Sequence, residues 1–376
     1  MKTLRYAQRL VGFDSTSQNS NRLISKYLEM KLTKHGFLVE QVDYQDRLGT
    51  RKVNLVAKKG NGFGGLAYFS HTDVVPANTW FTEDFGPFDA TVVNDRLYGR
   101  GSCDMKGSIA RMLAAAQRFD WHQLKKPLYF VCTADEEVGF FGIRNVIEHS
   151  KFYREMVDHG TKAIIGEPTN LEIVHAHKGS CRIIARATGR AGHSSEGVSH
   201  NSNLAIIPFA HEMLRIYEDT ERTNQWQNNE FEPPSLTWNI GLRDDSPAMN
   251  VTAANSVCTV YVRPMPGVDI ESLLQRTRGA AERHGLSLQI VRACEPLWVD
   301  PNSAFVTEAL QLVHRPKSKS VSYATDGGLL GELSEKIVFG PGGIAQAHTH
   351  DEWISLEQLA RGTELYEKMI QHWCCR

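Results

Sequence analysis

Five short segments place histidine or carboxylate side chains directly after apolar runs. They are F-S-H-T-D, with His71 and Asp73; G-R-G-S-C-D-M-K-G, with Asp104; T-A-D-E-E-V-G, with Asp135, Glu136 and Glu137; I-G-E-P-T, with Glu167; and A-H-T-H-D-E, with His348, His350, Asp351 and Glu352. Imidazole nitrogens and carboxylate oxygens without cysteine suit zinc, cobalt or manganese. Two histidines and three carboxylates suffice for two divalent ions that share one bridging carboxylate. Such a pair binds and deprotonates water, then clamps the oxygens that develop in the transition state. One carboxylate is then left outside coordination as general base and acid. In the Glu136–Glu137 pair, one Glu can ligate while its neighbour faces the water. Asp73, two residues after His71, is placed to accept the second ring N–H and fix the imidazole tautomer.

Each segment also has a plainer reading. An isolated H-x-D is a surface pair, an isolated E-E is a solvated helix face, Asp104 is a helix N-cap, and Glu167 is a loop carboxylate before Pro168. All of these must hold together, and each must explain why polar residues follow directly on buried strands.

The elements that would carry these side chains alternate. The spacing predicts a helix over 22–35 with Gly36 as its stop. It predicts strands over 53–57 and 66–70, a helix over 106–119, and strands over 128–133 and 163–166. This order implies a mixed, mostly parallel sheet with helices on both faces. Ligands of open α/β sheets bind beyond the carboxyl ends of the strands, so the five segments converge. From about residue 181 the pattern changes to strand 181–188, helix 203–217, polar loop 218–234, strands 235–242 and 256–262, helix 270–284 and strand 287–292. That β-α-β-β-α-β order is the ferredoxin-like α+β arrangement. The chain then returns, with a strand leading into a Gly-rich loop over 338–343 and a last helix to 373, for which S-L-E-Q at Ser355 gives a capping box. The expected division is one catalytic domain, 1–180 and 294–376, interrupted by an inserted domain, 181–293.

The 42 Lys+Arg against 43 Asp+Glu leave a formal charge of −1, which gives no electrostatic footprint for nucleic acid or an anionic membrane. No stretch approaches the ~20 apolar residues of a membrane span, and the N-terminus lacks the apolar core of a secretory signal. The seven cysteines are odd in number and form no C-x-x-C pair, which reads as reduced thiols in a cytosolic protein. G-N-G-F-G-G at 60–65 precedes a strand instead of following one, so the dinucleotide-binding fingerprint fails.

Taken in order, S-H-T-D-V-V-P, L-Y-G-R-G-S-C-D-M-K-G, D-E-E-V-G, G-E-P-T and A-H-T-H-D-E resemble the family of acetylornithine deacetylase, succinyl-diaminopimelate desuccinylase, aminoacylase and glutamate carboxypeptidase over nearly the whole chain. The resemblance implies a metal-dependent amidohydrolase with two divalent ions, zinc first, cobalt or manganese otherwise. It implies His71 and Glu167 on one metal, Glu137 and His348 on the other, and Asp104 bridging both. Glu136 would be the general base and Asp73 would orient His71. In G-R-A-G-H-S-S, His193 would stabilise the oxyanion, often across a dimer. Asn250 and Arg263 would grip the substrate carboxylate, and Gly342 and Gly343 would line the pocket. The inserted domain would be a lid and homodimer contact. The family's His four residues before a Glu selects His348, paired with Glu352, over His350. The closing G-P-G-G-I-A-Q-A-H-T-H-D-E-W looks nearest the acetylornithine deacetylase side, with its acetylcitrulline-cleaving relatives. This implies deacetylation of an N-acyl amino acid in amino-acid, including arginine, biosynthesis. Succinyl-diaminopimelate desuccinylase and a metallo-dipeptidase or carboxypeptidase are the alternatives. A non-catalytic binding member would require loss of a ligand or of the base, and all six positions are present.

Overall fold

The computed structural model describes residues 2–196 and 201–376. They divide into two compact units, one of residues up to 175 with 299–319 and 325–376, the other of 176–298 with 320–324.

The first unit is built on a sheet whose spatial order is Leu38–Gln45, Arg51–Lys59, Leu128–Thr133, Leu66–His71, Lys162–Ile165, Lys336–Val338 and then Val174–His177, where the chain leaves the unit. The four strands from Leu128–Thr133 to Lys336–Val338 are parallel neighbours, and antiparallel pairs flank them. Every residue of L-A-Y-F-S-H and L-Y-F-V-C-T is buried, the composition that a parallel sheet covered on both faces demands. The helix Lys106–Ala116, buried along its whole length, packs against Lys2–Val11 and Leu356–Cys374. The helices Arg22–Lys34 and Phe141–His149 pack against Arg51–Lys59. A buried hydroxyl chain ties these layers: Tyr68 to Ser108 and Ser108 to Tyr366, both 2.8 Å, with Tyr366 donating to the Phe339 carbonyl. Gly166 follows the Lys162–Ile165 strand where a Cβ would lie 2.3 Å from Tyr68 Oη, so that turn requires glycine.

The second unit is an antiparallel sheet in the order Thr237–Asp244, Asn255–Arg263, Ser180–Thr188, Ser287–Cys294. Asn255–Arg263 alternates buried and half-buried residues, the mark of a strand with one covered face. Ile183, Phe209, Met213, Val260 and Leu273 join the sheet to Asn203–Arg222 and Ile270–Arg283 in one apolar core. This is the α+β order read from the sequence.

Several details differ from the sequence reading. The helix expected over 203–217 continues to Arg222, because Thr220 stays buried one turn beyond Ile216. The capping box at Ser355 is half formed. Ser355 Oγ accepts the Gln358 N–H, but the Gln358 carboxamide accepts the Gly342 N–H instead of returning to Ser355. No helix among the described residues is long and apolar enough to cross a membrane. All seven cysteines are free thiols, six of them buried.

Lys178 of the second unit is fully buried, and its Nζ donates to the carbonyls of Pro233 and Ser235. Burial, with Arg263 nearby, lowers its pKa from 10.5 to about 8. Between about 8 and 10.5 the unfolded chain therefore binds the proton that the folded chain releases, and folding stability rises with pH there. The expected result is that wild type gains stability over Lys178→Met as pH climbs through that window, read from urea midpoints. Parallel curves would place the lysine's proton elsewhere.

Candidate metal centre

His71 closes the Leu66–His71 strand, Asp135–Glu137 follow Leu128–Thr133, and Glu167 follows Lys162–Ile165. Asp104 precedes the helix Lys106–Ala116 across a cis Asp104–Met105 peptide bond. Topology thus delivers these side chains to one end of the parallel strands. His71 Nε2 lies 3.1 Å from Asp104 Oδ1 and 3.6 Å from Glu167 Oε1. His348 Nε2 lies 3.3 Å from Asp104 Oδ2 and 3.0 Å from Glu137 Oε1. Asp104 therefore stands between the two imidazoles, one oxygen toward each. Ligand atoms of His71, Asp104 and Glu137 all fall within 4.8 Å of one another.

The loops are held by acceptors buried beneath them. Asp73 accepts the N–H groups of Glu136 and Glu137 at 3.2 and 3.3 Å and the Ser17 hydroxyl at 2.7 Å. The Asp73 carboxylate lies 3.6 Å from His71 Nδ1, while the Asp73 carbonyl is nearer, at 3.0 Å. The imidazole is thus oriented by main chain as well as by the carboxylate. Glu352, fully buried, accepts from Arg100 Nη1 at 2.7 Å and from the N–H groups of Gly101, Cys103 and Asp104 at 2.9–3.0 Å. It enters from the strand Trp353–Ser355, which pairs with Arg96–Tyr98.

These carboxylates repel one another in a medium that solvates them poorly. Burial raises Glu167 well above the usual carboxyl range, with Asp104 adding to it. Burial also raises Glu136, and Glu167, Glu137 and Asp326 add to this against the pull of His71. Glu137 is raised by burial and by Asp104. Hydrogen bonds to Asp104 and Glu137 lift His348 to about 10. Burial opposes charge on His71, yet Glu167, Asp104 and Asp73 outweigh it and raise its pKa. Buried carboxylates at this density are paired or coordinate metal, and oxygen and imidazole donors without thiolate fit a divalent cation of the zinc, cobalt or manganese group. The donor set therefore suits the two ions expected from the sequence.

The other expected site residues lie as follows. His350 does not join the cluster: its carbonyl accepts the Phe81 N–H and its ring meets Phe81 edge-on, centroids 6.4 Å apart. Gly342, at φ 88°, packs against Cys103, where a Cβ would come within 2.7 Å of Sγ, and Gly343 bridges to Thr169 beside Glu167. In the second unit, His193 bridges to Val251 and its Nδ1 meets Ser195 Oγ at 2.7 Å; the neighbouring Ser194 N–H donates to the Asn250 carbonyl. Both His193 and Asn250 are exposed. Arg263 lies apart from them, closing the nine-residue strand Asn255–Arg263, roughly 26 Å from its start.

The sequence named Glu352 only as the second half of a His-x-x-x-Glu spacing, without its role under the Asp104 loop, and one further candidate escaped it. Asp326 sits in the turn Asp326–Gly328 with one oxygen accepting from Thr133 Oγ1 and the other unpartnered, and burial raises its pKa to about 7. The T-D-G-G turn formers around it follow no apolar run, so no periodic signal pointed there.

The parallel strands and the loops that follow them bring two imidazoles and a surplus of buried carboxylates together, a donor set suited to a metal-dependent hydrolase. The chain belongs to the peptidase family M20/M25/M40, whose model matches residues 67–372. It is 33% identical over 372 residues to acetylornithine deacetylase of Pasteurella multocida (strain Pm70), covering 96% of this chain and 94% of that protein. In fold it is similar to the M20 family metallo-carboxypeptidase Sso-CP2 from Sulfolobus solfataricus (TM-score 0.78, 16% identity, 99% of each chain). It is also similar to human carnosine dipeptidase 1 (TM-score 0.77, 16% identity, 98% of this chain and 95% of that one).

Proposed function

We propose that this protein removes the acetyl group from an N-acetylated amino acid, in the manner of acetylornithine deacetylase. The observation that carries the hydrolytic site is Asp104 between the two imidazoles, with Glu167 on the His71 side and Glu137 on the His348 side. The substrate class is supported by relatives named acetylornithine deacetylase, about one third identical over nearly the whole chain. On this reading His71 and Glu167 would hold one divalent ion, Glu137 and His348 would hold a second, and Asp104 would serve both. When bound, such ions supply Lewis acidity toward water and the amide oxygen. Glu136, whose surroundings raise its affinity for a proton, takes a proton from water and delivers it to the leaving amine. Asp73 keeps the His71 ring oriented. His193 stabilises the oxyanion, Asn250 and Arg263 hold the substrate carboxylate, and Gly342 and Gly343 shape the pocket wall.

A homodimer through the second unit accords with the exposed apolar row Leu204, Ile207 and Leu214 on its helix Asn203–Arg222, and with the placement of Arg263 apart from His193 and Asn250. A cytosolic setting accords with seven free thiols.

The test is a panel of acetylornithine, acetylcitrulline, acetylmethionine, succinyl-diaminopimelate and simple dipeptides, assayed with zinc or cobalt added. Preference for the acetylated amino acids is expected. Preference for the succinylated substrate or for dipeptides would overturn the substrate assignment while keeping amide hydrolysis.

The two histidines separate cleanly in a metal assay. His348→Ala is expected to weaken zinc binding by at least the ~100-fold that loss of an outer partner reaches. His350→Ala, which touches Phe81 instead, should stay within about two-fold, as surface substitutions do. Dye-competition titration of zinc reads both, and the reverse order would exchange the two residues.

A further inference from the structure

The turn that carries Glu136 and Glu137 begins at Asp135, whose φ of 56° is left-handed, a conformation uncommon for residues with a Cβ and most accessible to Asn and Asp. Both carboxylate oxygens of this buried residue are engaged. Lys52 Nζ donates to Oδ1 at 2.8 Å and the Tyr44 hydroxyl donates to Oδ2 at 2.7 Å. Lys52 is 1% exposed and donates further to the carbonyls of Ser17 at 2.5 Å and Asn19 at 2.9 Å, with Asp46 at 3.7 Å. Three ammonium protons thus meet three close acceptors. Ser17 then passes the connection on, its hydroxyl donating to Asp73, the carboxylate that receives the Glu136 and Glu137 N–H groups. The turn is consequently gripped at two points: at Asp135 by Lys52 and Tyr44, and at its following two amides by Asp73.

An ammonium buried this deeply contributes little net stability, since well-packed apolar side chains of similar volume do as well or better. What the pair does supply is a fixed direction for the residues after Asp135. We propose that Lys52, acting through Asp135 with Tyr44, is a positioning residue that sets the Glu136–Glu137 turn in the geometry needed for metal binding and proton transfer. This rests on reading Glu137 as a metal ligand and Glu136 as the base. The chain places Lys52 on Arg51–Lys59, a strand that carries none of the five chemical segments, so the site depends on a residue outside its own motifs.

The experiment compares Lys52→Met, Tyr44→Phe and Lys58→Met with wild type in zinc affinity by dye competition, in kcat and KM, and in urea midpoint. Lys58 lies on the same strand in a partly buried pair with Glu155, away from the turn, and controls for simple loss of an ion pair. Lys52→Met is expected to weaken zinc about 10–100-fold, as loss of an outer partner does, and to lower kcat with KM little changed. Tyr44→Phe keeps the ring, removes one hydroxyl, and should show the same pattern at smaller size, so the proposal stays testable if Lys52→Met fails to fold. Lys58→Met should lower the midpoint alone. If Lys52→Met and Tyr44→Phe move only the midpoint, as Lys58→Met does, the network is scaffold and the proposal falls. Zinc affinity is read without substrate. A loss of affinity in a protein that cleaves no N-acyl amino acid would therefore sink the functional reading and leave the positioning role standing. A wild type that binds no zinc would sink both.

Discussion

Glu136→Gln is expected to bind zinc as tightly as wild type and to lose roughly 10²–10⁴-fold in kcat, the range that a positioned general base contributes. Glutamine keeps the shape of the side chain and leaves its N–H on Asp73, so the turn and its neighbour Glu137 stay in place. It cannot carry a proton, and that single change isolates the chemical role. The raised proton affinity of Glu136 has a physical source in burial and in three neighbouring carboxylates. Steady-state kinetics should show kcat falling with KM little changed, because proton transfer belongs to the transition state and not to ground-state binding. Loss of zinc instead would exchange the roles of Glu136 and Glu137. Near-normal turnover with zinc retained would assign the proton relay to a group other than Glu136.

The sequence exposed those parts of the site that a local signal announces. His71, Glu136, Glu137 and Glu167 each follow a buried strand within a few residues, and an abrupt change from apolar to ionisable side chains is visible in a single window. The parallel sheet was legible for the same reason, since strands covered on both faces must read as unbroken apolar runs. Groups defined by distant partners stayed hidden. Leu38–Gln45 buries only Val42, so an edge strand without alternation offered no period to find. Lys52 looks like an ordinary polar residue at the head of K-V-N-L-V-A; only register against neighbouring strands reveals that its ammonium points inward to Asp135. Asp135 itself appeared as one of three equivalent acids, and its left-handed backbone separates its task from that of the two that follow. The segment that supplies Arg100 and Asp104 precedes Glu352 by about 250 residues, a separation that no spacing rule bridges.

Glu352 is where that long-range closure has its largest consequence. Its carboxylate, without exposed surface, accepts from Nη1 of the buried Arg100 guanidinium and from the amides of Gly101, Cys103 and Asp104 in one loop. Glu352→Ala would leave Arg100 without this counter-charge and three buried amides without an acceptor. Breaking a buried pair by removing one partner costs about 3–5 kcal/mol, and each stranded donor adds about 1–3 kcal/mol before the loop relaxes. Against the ~5–15 kcal/mol that separates folded from unfolded domains, Glu352→Ala should accumulate poorly or melt far below wild type. Glu352→Gln is the sharper probe. It retains the volume and one carbonyl oxygen, but it removes the charge opposite Arg100 and turns one acceptor into a donor that faces the loop amides. The folded protein should survive with a lowered urea midpoint, and Asp104, no longer held by its own N–H, should lose its fixed position between His71 and His348. Zinc affinity is then expected to fall about 10–100-fold, as it does when an outer partner of a ligand is lost. A Glu352→Gln protein that loses stability yet binds zinc like wild type would show that the imidazoles, and not the loop, set the place of Asp104.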